Sequence, residues 1–536
     1  MFLWVFTWTD ILLFLLAVVG LLYYYGTSTF GFFDKRGIKS IKPYPYIGNM
    51  LPLVLGKKHI NAIVDDIYYK YKDEKICGVY NFTGPALLIK DLELIKRITI
   101  KDFDHFTDHL QVPSEDDPLF FNNVFSMRGE KWHNMRCALS PAFTGSKMRA
   151  MMPFVTECSE RFIGYLKKED CMEIEMKGLM SKLTNDVIIS CAFGLQCDSL
   201  NDPDNELYTK TKILTNIELK DALKMLSTVM FPRLRKVINV KLVDDSITNF
   251  YRSLVMDIIK QRNKSGLIRR DMIHLLMMAR KGSLSPTNKV KIESNKYLPI
   301  YFMRLILTYV SVWTDDEITA QAVIFLFAGY EATSSTLSFM CYELANNPDS
   351  QAKLRDEIDQ YIAEFGETIK YNDILSLTYM DMVLSETLRL WPPGGVLDRI
   401  CVKPYTLPIE INNKTYTIQK DDLVWIPVHA IHRDPQYYVD PDKFIPERFS
   451  EENKDTIKPG TFLPFGIGPR SCVGNRFALM ETKIIMFHLL ANFEIVQTPK
   501  TEIPLKVKNF GFLVTVSSWT VVFNCFMTDL SSVFIG

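Results

Sequence analysis

The sequence predicts a mainly α-helical single domain with a small β portion and an N-terminal membrane anchor. Three observations support this. Helical apolar periodicity dominates from about residue 128 to 391. Short β-like runs appear only near 76–90, 414–428 and 510–523. The first residues form an uncharged apolar stretch that ends at a basic segment. No period of 20–50 residues repeats, and no low-complexity linker divides the chain. The 536 residues are therefore read as an anchor over 1–27 and one large domain over 28–536.

Ile11 to Tyr25 carries no charge, and only Asp10 interrupts the apolar residues before it, so the stretch is long enough to cross a bilayer. Trp4 and Trp8 at one end, and Tyr23, Tyr24 and Tyr25 at the other, suit the two interfaces. Lys35, Arg36, Lys39 and Lys42 follow, which keeps the rest of the chain cytosolic by the positive-inside rule. A cleaved signal peptide is the competing reading, but there is no basic leader and no small-residue cleavage site. Ile41 to Asn49 is a stiff, proline-punctuated connection. Residues 222–236 mix Met, Leu and Phe with basic residues; they read as a membrane-dipping stretch or as a helix–helix contact.

The 62 basic and 62 acidic residues balance, which gives no support to nucleic-acid binding. Ten scattered cysteines without a C-x-x-C pair argue against zinc sites and disulfide frameworks, and for a reducing compartment.

One cysteine stands apart. Phe465-Gly466-Ile467-Gly468-Pro469-Arg470-Ser471-Cys472-Val473-Gly474 is an F-x-x-G-x-R-x-C-x-G string directly before a helical pattern over 475–489. Two of its glycines let the backbone turn tightly and approach a flat cofactor. A helix N-terminus lowers a thiol pKa and favours its anion. Arg470 suits a cofactor carboxylate. A buried structural cysteine would leave the Phe, Gly and Arg positions unexplained.

A long helix starts at Asp315-Asp316-Glu317 and carries Ala328-Gly329-Tyr330-Glu331-Ala332-Thr333-Ser334. A carboxylate in an apolar helix needs a role or a partner. Glu386-x-x-Arg389 and Trp132-x-x-x-Arg136 each place two side chains on one helical face. Gly466-x-Gly468 is followed by Ser471 where a dinucleotide loop needs its third glycine, and no βαβ unit surrounds it. The chain therefore offers no dinucleotide-binding loop of its own. His429 and His432 match no ligand position and read as loop or core residues.

These strings resemble the cytochrome P-450 superfamily: the cysteine loop at every fixed position, then E-x-x-R and Pro446-Glu447-Arg448-Phe449 upstream of it in the family's order. The runs Phe103 to His109, Leu139 to Met148 and Gly474 to Glu481 are similar to insect microsomal members of family nine, in the same clan as vertebrate family three. The resemblance implies the cytochrome P-450 fold with haem b (iron protoporphyrin IX), Cys472 as axial thiolate and metal ligand, and Phe465, Gly474 and Ala328 against the macrocycle. It assigns Trp132, Arg136, Arg399 and Arg470 to the propionates, and Glu386, Arg389 and Arg448 to a buried ion network. Glu331 and Thr333 become the candidate proton route. Here the sequence departs from the family's [AG]-G-x-[DE]-T: Ala332 holds the threonine position, and Thr333 is rotated about 100° from it.

The implied reaction inserts one atom of O2 into apolar substrates such as xenobiotics, plant toxins and insecticides. Its partners would be NADPH–cytochrome P-450 reductase and cytochrome b5, on the cytosolic face of the endoplasmic reticulum membrane. Two rivals remain: a reductase-independent haem-thiolate isomerase or peroxide-cleaving enzyme, and a silent membrane-bound haem or ligand carrier. Tyr297 to Trp313 and the tail Trp519 to Gly536 fall outside the resemblance, and read as insertions or misjudged exon boundaries.

Overall fold

The computed structural model describes residues 8–111, 116–168, 173–215, 241, 243–266, 268–269, 271–280, 313–411, 414–509, 513–516 and 519–525. The stretch 222–236 and all of 297–313 except Trp313 lie outside these residues.

The N-terminal helix spans Trp8–Thr27, is long and apolar enough to cross a membrane, and buries only Gly26. Its base is tied down: Gly26 lies against the Tyr46 ring, and the Tyr46 hydroxyl donates to the Leu22 carbonyl.

Strands β1 (Ile76–Asn81) and β2 (Gly84–Ile89) form the antiparallel hairpin expected near 76–90. β3 is Glu173–Glu175, β4 Leu397–Ile400, β5 Tyr405–Ile411, β6 Lys414–Ile418, β7 Leu423–Ile426, β8 Phe493–Gln497 and β9 Thr520–Cys525. β2 pairs in parallel with β7, which pairs with β4, giving the order β1-β2-β7-β4. Alternation along these strands builds a core on each face. Ile76, Leu87, Ile89, Val424 and Ile426 pack on one side, and Cys77, Val79, Leu88, Leu423 and Trp425 on the other. The sheet therefore fixes β4, and with it Arg399, between two apolar layers.

Most of the remaining core is helical. The long helix Asp315–Asn346 begins with a capping box: the Thr314 hydroxyl accepts from the Glu317 N–H, and the Glu317 carboxylate accepts from the Thr314 N–H. From Ile318 onward it is mostly buried, against Met176–Ile188, Thr378–Leu390 and Asn475–Leu490 among others.

Of the tail, residues 526–536 lie outside the described residues, and the expectation is corrected for 519–525. Trp519 is buried against Tyr342, and β9 is the middle strand of the sheet β3-β9-β8. Residues 519–525 are thus integral to the fold, the realised form of the β-like run expected to end near 523. An alternating β-strand offers few sequence landmarks, which hides this strand from motif comparison.

Candidate active site

The cysteine loop is shaped by its glycines, but unequally. Gly466 and Gly468 adopt φ of 70° and 78°, the left-handed region. A Cβ on Gly468 would fall inside the Thr99 carbonyl oxygen. The Cys472 N–H donates to the Phe465 carbonyl at 2.8 Å, closing the loop before the helix Asn475–Leu490. Gly474 differs: its φ is −91°, and a Cβ would meet only the Phe143 ring at 3.6 Å, an ordinary contact. The protein's own packing does not demand glycine there.

Cys472 is exposed on its loop, yet burial beneath the surrounding protein still raises its thiol pKa; the Gly474 N–H and the Arg136 charge pull the other way. Desolvation of the anion thus works against the lowering expected from the helix start.

Around this loop the chain gathers arginines. Arg470 stacks over the Trp132 ring at 4.0 Å, pairs with Asp108 at 3.6 Å, and donates to the Thr107 and Met127 carbonyls. Burial pushes its pKa down to about 9; Asp108 opposes this, while Arg399 and Arg136 add to it. Arg399 is buried in β4 and leaves Nε without a partner. Arg136, half-buried, is also depressed by burial. Three guanidinium groups thus share a low-dielectric space with two aspartates, Asp108 and Asp398. Such an excess of buried cation fits a ligand bearing carboxylates, as haem does.

Sequence reasoning missed Asp398 and His109. Their rings and carboxylates meet across the chain: His109 Nδ1 lies 2.9 Å from Asp398 Oδ1, and the imidazole stacks on Phe125 at 4.6 Å. Both sit inside stretches already singled out, and only their separation of 289 residues hid the pair.

On the long helix, Ala328 is exposed and Ala332, one turn later, is half-buried. Glu331 pairs with buried Lys177 at 3.2 Å, and that ammonium also donates to the Ser334 and Ser335 hydroxyls. Thr333 is buried, and its hydroxyl donates to Glu481 Oε2 at 3.2 Å. Glu481, on the final helix, is pushed up to about 8 by burial, against the opposing Thr333 hydrogen bond; its second oxygen has no partner. Thr333 thus faces the helix that follows the cysteine, as its rotation from the family position suggested.

Glu386 and Arg389 form a fully buried bidentate pair at 2.6 and 2.8 Å, joined by Arg448 at 3.3 Å. Arg389 also donates to the His432, Pro441 and Lys443 carbonyls. His432 is a core residue whose Nε2 accepts from Leu463 N–H at 2.7 Å, and His429 pairs with Asp65. Among the described residues no cluster of three or more His, Cys, Asp or Glu side chains could hold a bare metal ion.

The Cytochrome P450 family model matches residues 39–523. The German cockroach protein cytochrome P450 9e2 (Blattella germanica) is 44% identical over 95% of this chain and 96% of its own length. The Drosophila melanogaster probable cytochrome P450 9f2 is 38% identical over 94% and 96%. Cytochrome P450 6k1 of Blattella germanica is 35% identical over 95% of each chain.

Proposed function

This chain belongs to the cytochrome P450 family of haem- and iron-binding monooxygenases, and from that membership we propose a reductase-fed, membrane-anchored enzyme that oxygenates apolar small molecules. Xenobiotics, plant toxins and insecticides are the proposed substrates. The observation that carries the site is Cys472, exposed on a glycine-shaped loop near Arg136, Arg399 and Arg470, which are half-buried or buried and which the protein leaves short of anions.

Bound haem b supplies the oxygen chemistry, and thiolate ligation favours O–O cleavage. Cys472 would hold the iron. Trp132, Arg136, Arg399 and Arg470 would hold the propionates, and Phe465 and Gly474 would flank the macrocycle. Ala328 and Ala332 keep one helical face low, so that a flat group and an apolar substrate fit beside it. Glu331, paired with Lys177, would be the proton carrier beside that face. Thr333, bonded to Glu481, supports Glu331 only through the helix backbone.

NADPH–cytochrome P450 reductase is the proposed donor, with cytochrome b5 as a second. Lys131, Lys147 and Arg149 offer basic charge for docking; charge reversal there should slow reduction. The helix Trp8–Thr27 would anchor the chain (residues 1–27) in the endoplasmic reticulum membrane, with residues 28–536 as the haem domain on the cytosolic face.

A reduced, carbon-monoxide difference spectrum tests the central assignment. The wild type should show the thiolate-type band and Cys472→Ala should not; a wild type without the band sinks the reading. NADPH-dependent substrate loss with added reductase then separates the monooxygenase from the rivals. A silent carrier shows none, and an isomerase or peroxide-cleaving enzyme proceeds without NADPH.

A further inference from the structure

We propose that Gln321 is a positioning residue for substrate: it latches the segment from Pro118 to Met127 over the face of the long helix that carries Ala328 and Ala332. The inference rests on Cys472 holding haem against that face. Gln321 is fully buried, and its side-chain amide is spent on backbone groups. Nε2 donates to the Asn122 carbonyl at 2.7 Å and to the Glu317 carbonyl of its own helix at 3.0 Å, while Oε1 accepts from the Val124 N–H at 2.8 Å. Carbonyls at one end and an N–H at the other fix which amide atom is which. Both partners outside the helix lie almost 200 residues away, at separations of 199 and 197. The amide therefore serves a tertiary contact.

Helical geometry says where the latch sits. Gln321 precedes Ala328 by seven residues and Ala332 by eleven, so all three share one stripe to within about 20°. The latch is therefore about 10 Å along the helix from Ala328, on the ligand face. The segment it holds carries rings: Phe120 meets Phe327 edge to face at 5.7 Å, and Phe125 is exposed. Asn123 braces the segment internally, donating to the Phe120 carbonyl and accepting from the Phe125 and Ser126 N–H groups. A second outside tie runs to the cysteine loop, where Arg470 donates to the Val124, Phe125 and Met127 carbonyls. Val124 is thus gripped from both sides, its carbonyl by the cysteine loop and its N–H by Gln321. Arg470 fixes the segment to the cysteine loop; Gln321 fixes its height over the long helix. That height decides how closely Phe120 and Phe125 approach a substrate lying on Ala328 and Ala332. Without the amide, the Asn122 carbonyl and the Val124 N–H would be buried unpaired, and the segment would move out toward water to satisfy them.

Two iron ligands that differ by one ring, imidazole and 4-phenylimidazole, test this when titrated by absorbance on the full-length protein. In the wild type the phenyl group should add roughly ten-fold or more in affinity, as burial of an apolar ring predicts. Gln321→Leu keeps the bulk but not the hydrogen bonds. It should weaken 4-phenylimidazole roughly three- to thirty-fold, the span of one to two neutral hydrogen bonds, and imidazole by less than about two-fold. Gln321→Asn, too short to reach both partners, should fall between and reads the same ratio if Gln321→Leu does not fold. Phe120→Ala should lower the phenyl preference as well. Combined with Gln321→Leu, it should lose less than the product of the two separate fold-changes, because Gln321 acts through the segment. A residue that only stabilised the fold would leave the ratio of the two affinities unchanged. Amide hydrogen exchange of the haem-free protein gives an independent reading: residues 118–127 should exchange faster in Gln321→Leu, while the hairpin of β1 and β2 keeps its protection. An unchanged affinity ratio, a wild type that does not favour the phenyl ligand, or unchanged exchange across 118–127 overturns the proposal. The carbon-monoxide band recorded on the same samples separates the two readings. If the wild type shows it and the ratio does not move, only the Gln321 assignment fails; if the wild type never binds haem, both fail.

Discussion

Two buried charge clusters flank the cysteine loop, and they are built on opposite rules. In the Glu386–Arg389–Arg448 cluster, Arg389 satisfies five donor contacts within the protein, and Glu386 is matched by both arginines and the Ile445 N–H. In the Arg136–Arg399–Arg470 cluster, cations outnumber anions and Arg399 Nε goes unpaired. Charge that the protein neutralises by itself marks scaffold. Charge left in excess marks a place for a ligand.

The largest expected effect tests that rule. Glu386→Gln strands Arg389 with no exposed route to water, and should destabilise the fold by about 3–5 kcal/mol, read by denaturant unfolding or by loss of folded yield. Arg399→Ala should change the stability of the haem-free protein by less than about 1 kcal/mol, since it removes a charge already poorly compensated. It should instead speed haem loss. If Arg399→Ala unfolds the protein as badly as Glu386→Gln, the distinction between scaffold and site breaks.

The glycines repeat the contrast on a smaller scale. Gly468→Ala adds a carbon where the Thr99 carbonyl already sits, at a φ of 78°. Roughly 2–3 kcal/mol of destabilisation is expected from strain and displacement together, visible in the melting temperature without haem. Gly474→Ala should leave that melting temperature nearly unchanged and weaken haem retention. A large loss of stability from Gly474→Ala would return that glycine to the scaffold.

Much of this was legible in one dimension, because the family motifs are short and local. The cysteine loop, the capped long helix, E-x-x-R and W-x-x-x-R each lie within ten residues or on one helical turn, so periodicity and spacing locate them. What stayed hidden joins residues far apart. His109 meets Asp398, Lys177 meets Glu331, and Thr333 meets Glu481, and nothing local announces a partner 148 to 289 residues away. Strand β9 was misjudged for a related reason. Its place is set by pairing with β3 and β8, which are distant in sequence. The burial that opposes the helix dipole at Cys472 is likewise invisible in residue order.

Glu481 belongs to neither cluster: it is a lone buried acid with only a threonine hydroxyl to meet it. Its folded pKa of about 8 lies above the value near 4.3 for an unfolded chain. Between those limits the folded protein keeps a proton that the unfolded chain releases. Stability from this group is therefore full below about pH 4 and is lost as pH rises to about 8. Glu481→Gln removes that loss. Its stability relative to wild type should grow between pH 5 and pH 8 by up to about 1.4 kcal/mol per pH unit, measured by paired melts. A difference that stays constant with pH would mean that Glu481 is ionised and paired after all.

The smallest effect separates the two candidate proton carriers. Thr333→Val deletes the hydroxyl that meets Glu481 and should cost about 1 kcal/mol of stability. Because that hydroxyl faces the final helix, the ratio of product formed to NADPH consumed should stay within about two-fold of wild type, a far smaller change than loss of a proton carrier produces. Glu331→Gln should retain the carbon-monoxide band but lower that ratio about ten-fold or more, since a positioned acid is worth at least that much. Ala332→Thr places a hydroxyl one turn from Ala328, at the family position, and should raise the ratio. If Thr333→Val instead uncouples the enzyme as strongly as Glu331→Gln, the hydroxyl must leave Glu481 during turnover, and the long helix must rotate or open there. The same result would join the ligand side of the molecule to the buried acid behind it.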